Sequence, residues 1–222
     1  MKFTFIDLSH TIEDGLITYK GLPPPLICDY WSRKSTESNY DNGESFQIAK
    51  IEMVANTGTY IDCPFHRFES GKDISEVEVN RLADLEAVVV RAAYTKSLVI
   101  DADVFRNVHV RNKAVLVNTG WSSKWNTENY YEGHSYLTAE AAVYLRDAGA
   151  LLVGIDSYNI DNSATRTRPV HTILLEAEIF IVEHLCNLAM LPDEGFWFTS
   201  LPPKIKGVGS FPVRAYAKVR SI

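Results

Sequence analysis

The sequence predicts an α/β fold with a mixed β-sheet in a single domain spanning residues 1–222. Three observations point there. Short apolar runs bounded by chain breakers, EAVVVRAA (86–93), KAVLVNTG (113–120) and LLVGID (151–156), read as buried strands. Two segments, 137–150 and 168–178, carry helix start and stop signals. Strands and helices alternate irregularly, which argues for mixed strand directions.

The elements follow in order. FTFIDLS (3–9) alternates and is rich in β-formers, so it reads as a strand. Residues 21–45 open with three consecutive prolines and continue as a polar run, the pattern of a long loop. FQIAKIEMVA (46–55) reads as a strand leading straight into a polar motif. Residues 71–83 read as irregular chain with a turn of helix. In 137–150, Thr138 is placed as N-cap, Glu140 lies in the first turn and Gly149 stands at the C-terminal end; Ala141, Leu145 and Ala148 form one stripe. The second helix opens on Pro169, a favoured first residue. IFIVEHL (179–185) and RAYAKVR (214–220) complete the strands.

Composition sets outer bounds. The chain has 222 residues, 46% of them hydrophobic and 23% charged, an ordinary globular balance. A formal net charge of −6 argues against a nucleic-acid partner, which wants a basic face. The three cysteines, Cys28, Cys63 and Cys186, are odd in number and far apart, so no disulfide framework is expected. No membrane span is expected either, and the N-terminus lacks the apolar core of a signal peptide. Together these predict a cytoplasmic protein.

Phosphate-binding glycine motifs, a GxSxG elbow and an HExxH helix are all missing, so the chemistry reduces to acids and histidines. The stretch VANTGTYIDCPFHRF (54–68) concentrates them. Asp62 and His66 are four apart, but Pro64 rules out a regular helical face between them and stiffens the loop. The pair reads equally as a polar turn and as a metal or acid–base site. Glu183 is the one acid in IFIVEHL: it is either on the solvent face of an edge strand or buried and in need of a partner. His171, twelve residues earlier, falls in the first turn of the second helix. His134 lies in an aromatic loop, where an ordinary loop histidine and a substrate contact are both open. His10 is within reach of the motif; His109 and His184 read as incidental, with His184 pointing away from Glu183. Cys63 reads as a small packed residue.

The motif, written N-T-G-T-Y-I-D-C-P-F-H from Asn56 to His66, resembles the HxGTHxDxPxH signature of the cyclase-like metal-dependent hydrolases, the family of bacterial kynurenine formamidase and isatin hydrolase. DLSHTI, VNTGW (117–121), residues 134–161 and 168–188, and PVRAYAKV (212–219) resemble further blocks of that family, so the likeness runs over nearly the whole chain. It implies a swivelling β/β/α domain and a metal-activated hydrolysis of an amide-type C–N bond in a small molecule. Position by position, Asp62, His171 and Glu183 match metal ligands and His66 matches the proton-transfer residue. Asn56 and Tyr60 stand where two metal-binding histidines belong. An amide and a phenol of pKa about 10 are weaker ligands, so the resemblance implies one divalent ion, Zn or Mn, with the second position weakened. Tyr60 is then a candidate oxyanion donor, and Asn56, Trp31 and His134 candidate substrate contacts. The family's assemblies imply a homodimer or homotetramer, with Trp31 reaching a neighbouring pocket. Two other readings share the scaffold: a metal-poor small-molecule binding protein, and a lyase or cyclase.

Overall fold

The structure is a computed structural model that describes residues 2–220. Its first half contains β1 (Phe3–Asp7), β2 (Leu26–Trp31), α1 (Arg33–Thr36), β3 (Ile48–Glu52), β4 (Tyr60–Asp62), β5 (Leu85–Arg91) and β6 (Val99–Ile100). There follow β7 (Ala114–Asn118), β8 (Tyr136–Leu137), α2 (Ala139–Ala148), β9 (Leu152–Ile155), α3 (Pro169–Glu176) and β10 (Phe180–Glu183). The chain closes with β11 (Phe196–Thr199), β12 (Ser210–Pro212) and β13 (Tyr216–Arg220).

Nine strands form one mixed sheet in the order β1-β13-β11-β5-β7-β9-β10-β4-β12. The four central strands, β5, β7, β9 and β10, run parallel, and antiparallel strands extend both sides. Parallel strands need crossovers, and α2 and α3 supply them between β7 and β9 and between β9 and β10. Helix α2 begins where expected: the Thr138 side chain accepts a bond from the Ala141 amide at 3.1 Å. It ends at Gly149 in the left-handed region, φ 82°.

Side chains alternate across the sheet. Val88, Val90, Val115, Val117, Val153 and Ile155 pack under the helices with Ala141, Leu145, Val170 and Leu174. Ala87, Val89, Leu116 and Val182 face the other way, into a second core closed by Ile61, Phe196, Phe198 and Ala217 from the outer strands. The sheet therefore curls over its own concave face. The chain at Leu8–Ser9 spans the opening: the Leu8 amide bonds to Ala215 O and the Cys186 amide to Leu8 O. Each buried Leu, Val or Ile contributes on the order of 1.5–3 kcal/mol. Two such cores are the main source of stability.

Several expectations need correction. The segment 21–45 is not all loop: it contains β2 and α1. Residues 46–55 form only β3, which stops at Glu52 and pairs with β2 in a ribbon outside the main sheet. The ribbon is solvated on both faces, so its strands lack the apolar alternation that marks a half-buried strand. Three short strands of the main sheet, β4, β11 and β12, had no counterpart in the sequence reading, which placed Tyr60–Asp62 in a loop. The cysteines are free, with Cys63 packed in the core as expected. No helix among the described residues is long and apolar enough to cross a membrane.

Candidate active site

The site is built on β4 and its two neighbours. In the antiparallel register Tyr60 lies opposite Glu183 and opposite Pro212, and Asp62 lies opposite Ile181 and Ser210. Because alternate residues share a face, Tyr60, Asp62, Glu183 and Ser210 all project to the helix side, while Ile61 enters the concave core. The N-terminus of α3 brings His171 over this face, and a 3-10 turn at Pro64–His66 brings His66. Glu183 and Asp62 are both fully buried, which removes the solvent-face reading of Glu183.

Asp161 fixes His171. Its carboxylate accepts the Val170 and His171 amides, capping α3, and also the His171 Nδ1–H at 2.6 Å. That leaves His171 Nε2 turned toward Asp62 Oδ2 at 3.6 Å and Glu183 Oε1 at 3.7 Å. Glu183 accepts the Ile160 amide at 2.6 Å on Oε1 and the Tyr60 hydroxyl on Oε2. The proton of Tyr60 is thus committed to Glu183, and the oxyanion-donor role expected of it has no free hydrogen. Ser210 joins the last two members: its hydroxyl donates to Asp62 Oδ1 and its oxygen receives His66 Nδ1 at 2.8 Å.

The electrostatics describe a site short of positive charge. Burial alone would lower the His171 imidazole, but Asp161, Asp62 and Glu183 push it up to about 10. Burial is the main cause holding the Glu183 carboxyl above its usual range, reinforced by Asp62 and opposed by His171. Burial also acts to raise Asp62, yet His66, His171 and Ser210 outweigh it and hold it low. Burial and then Glu183 keep the Tyr60 phenol protonated.

A cation fits this arrangement. Asp62 Oδ2 is buried and makes no hydrogen bond, and the imidazole that faces it, His171, stands off at 3.6 Å, a costly state that a closer cation would relieve. Asp62, His66 and His171 offer ligand atoms that all lie within 4.8 Å of one another. Hard carboxylate and borderline imidazole donors suit a first-row divalent ion.

The site opens into a pocket of about 230 Å³. His66, His171, Tyr60, Asn56, Tyr19, Asn159, Arg67 and Arg168 line it, with Tyr60 and His171 buried and His66 exposed. Asn56 is among the lining residues. Trp31 and His134 do not line it. Trp31 is exposed on the β2–β3 ribbon, and His134 is buried with its ring nitrogens on Ser163 Oγ and Ser135 O. His184 was read as incidental and turned away from Glu183. Its backbone is left-handed, φ 57°, and its buried ring lies against Tyr60 and bonds Tyr130 through Nδ1. His10 meets the motif through its backbone, its amide donating to Thr59 Oγ1 at 3.0 Å, while its ring stacks flat on Trp125, centroids 4.0 Å apart. Asp161 and Ser210 were not anticipated.

The same architecture recurs in known proteins. A potential metal-dependent hydrolase with cyclase activity superposes with a TM-score of 0.81 at 23% identity, covering 100% of both chains. Isatin hydrolase A from Ralstonia solanacearum superposes with a TM-score of 0.81 at 22% identity, covering 98% of this chain and 92% of that one. In sequence, the kynurenine formamidase of Geobacillus thermodenitrificans (strain NG80-2) is 25% identical over 215 residues, 97% of each chain. That of Bacillus cereus is 26% identical over 212 residues, 95% of each. The Cyclase family pattern matches residues 6–162. With that match over most of its length, the chain belongs to the Cyclase family.

Proposed function

We propose that the protein hydrolyses an amide-type C–N bond, a formamide or a cyclic amide, in a small molecule with the help of one divalent ion. The observation that carries this reading is the unpartnered, fully buried Asp62 Oδ2 facing His171 Nε2 beside a pocket. The kynurenine formamidases and isatin hydrolase similar to this chain support the bond type.

Asp62, His171 and Glu183 would hold the ion, with His66 at its open side. When bound, a divalent ion supplies a Lewis acid for the carbonyl and makes water more acidic. His66 takes a proton from the attacking water at Nε2 and returns it to the leaving nitrogen, so that the C–N bond breaks to an acid and an amine. Ser210 holds His66 by Nδ1, which fixes the tautomer that leaves Nε2 free. Tyr60 steadies Glu183, and the buried aromatic surroundings keep bulk water away from both.

The test is the metal content of untagged protein by plasma mass spectrometry, after supplementation with Zn²⁺ or Mn²⁺, together with turnover of a panel of aryl formamides and lactams. About one ion per chain with turnover supports the reading. No ion and no turnover would favour the metal-poor binding protein, to which the Asn56 and Tyr60 substitutions lend support. A homodimer or homotetramer belongs to the same proposal: Tyr30, Trp31 and Ile51 stand exposed on the β2–β3 ribbon. A light-scattering mass of one chain would sink that part.

A further inference from the structure

The charge of the pocket wall runs against that of the molecule. The chain carries a net charge of −6, yet the residues lining the pocket include two guanidinium groups, two imidazoles and no carboxylate. The acids of the site, Asp62 and Glu183, lie behind this wall, fully buried. The interior end therefore calls for a cation, and the chamber in front of it for an anion.

The two arginines share the pocket lining with His66 and His171. Arg67 follows His66 directly and crosses to α3, where its Nε donates to Thr172 Oγ1 at 3.0 Å. That bond fixes the side chain and leaves both Nη groups without a protein partner among the described residues. Arg168 precedes α3 by one residue. Its Nη1 donates to Thr165 O at 2.7 Å and Thr167 O at 2.8 Å, while Nε and Nη2 have no such partner. Neither guanidinium pairs with a carboxylate among the described residues. Two anchored, unneutralised guanidiniums on one small pocket are suited to planar anions, which accept two parallel N–H bonds from such a fork.

We infer that the pocket selects small carboxylate-bearing amides: the carboxylate is gripped by Arg67 and Arg168 while the C–N bond faces Asp62, His66 and His171. The inference deepens the hydrolase reading and rests on it for the fate of the amide. A volume of about 230 Å³ limits the ligand to roughly one ring with its substituents.

The test is titration calorimetry with benzoate and with acetophenone, its neutral isostere, neither of which can be hydrolysed. Benzoate is expected to bind at least about tenfold more tightly, since charge-assisted hydrogen bonds are about twice as strong as neutral ones. Arg67→Ala and Arg168→Gln should each weaken benzoate about tenfold and leave acetophenone unchanged, and Arg67→Lys should restore part of the loss. Arg168 also pins the 162–167 loop, so if Arg168→Gln lowers thermal stability, Arg67→Ala decides alone. Equal binding of the two probes would overturn the inference. So would benzoate binding that survives Arg67→Ala but disappears in Asp62→Ala, because the carboxylate would then sit on the ion. Arginine-dependent benzoate binding without turnover of any amide would leave the anion site standing and remove the hydrolase reading. Turnover of neutral amides without arginine dependence would do the reverse.

Discussion

The Asp161 carboxylate lies 2.6 Å from Nδ1 of His171 and also accepts the amide that begins the same helical turn. One group thus sets both where the helix starts and which nitrogen of His171 faces Asp62. Asp161→Asn keeps the size but loses the charge and places an NH₂ against donors. Outer partners of this kind typically contribute 10–100-fold to metal affinity. The expected result is a loss of about that size in competition with a chromogenic chelator. Unchanged affinity would reduce Asp161 to a helix cap.

Metal binding should appear as stability. A ligand at about 100 times its Kd stabilises by roughly 2.7 kcal/mol, and in a chain of this size each kcal/mol shifts Tm by about 2–4 °C. Zn²⁺ or Mn²⁺ should therefore raise the Tm of the wild type by roughly 5–10 °C and leave Asp62→Ala and His171→Ala unmoved. His66→Ala should keep the shift and lose turnover. If His66→Ala loses the shift as well, His66 is a ligand, and its closeness to Asp62 and His171 is the reason.

Gly209 has no room for a side chain. A Cβ there would stand 2.3 Å from His66 N and 2.4 Å from its Cα, both backbone atoms that cannot swing away. Gly209→Ala should displace the 64–66 turn and destabilise by about 1–3 kcal/mol. Urea unfolding checks the stability, and the histidine NMR signals of residue 66 check the displacement. A variant with wild-type stability and spectra would mean that the turn is softer than its packing indicates.

Tyr60→Phe removes the donor to Glu183 Oε2 and leaves a buried oxygen unpaired. The expected cost is about 1–3 kcal/mol in unfolding free energy. Equal stability of the variant would show that water or a cation replaces the phenol.

Acid should weaken the fold through two buried histidines outside the carboxylate cluster. Burial against Trp125 lowers His10 to about 4, and burial lowers His184 well below its ordinary range. Below an unfolded pKa of about 6.5 the unfolded chain takes up protons that the native protein refuses. The stability that His10 contributes is therefore complete above that pH and falls away between about pH 6.5 and 4, while Glu183, held up to about 7, acts in the opposite direction. At about 1.4 kcal/mol per pKa unit, His10 accounts for up to about 3 kcal/mol. Urea midpoints at pH 7 and pH 5 should differ, and His10→Asn should narrow the difference. An identical difference in the variant would acquit His10.

Legibility in the sequence followed distance along the chain. Helix α2 was readable because its cap, stripe and terminal glycine are local signals, and the central strands because burial on both faces leaves continuous apolar runs. Asp62 and His66 were visible as four-spaced neighbours in one motif. Ser210 was not: it sits 148 residues from Asp62, in a three-residue strand too short to show a period. Asp161 was hidden for a related reason. It caps α3 from nine residues before Val170, beyond the reach of an ordinary N-cap pattern. Residues 46–55 were readable as a strand, but β2 and its pairing with β3 were missed, because both faces of the ribbon meet solvent and nothing in its composition reports pairing.

The strand Tyr60–Asp62 speaks in two directions at once. Its first and third side chains face the helix side of the sheet, where the site lies, and its middle one, Ile61, faces the concave core. Positions 60 and 62 can thus change their reactive vocabulary by substitution while the grammar of the scaffold, carried by Ile61, stays intact. The same interleaving forbids shifts of frame: inserting or deleting a single residue here would drive the acid into oil and the isoleucine into the ligand chamber. Diversification in this segment is confined to substitution.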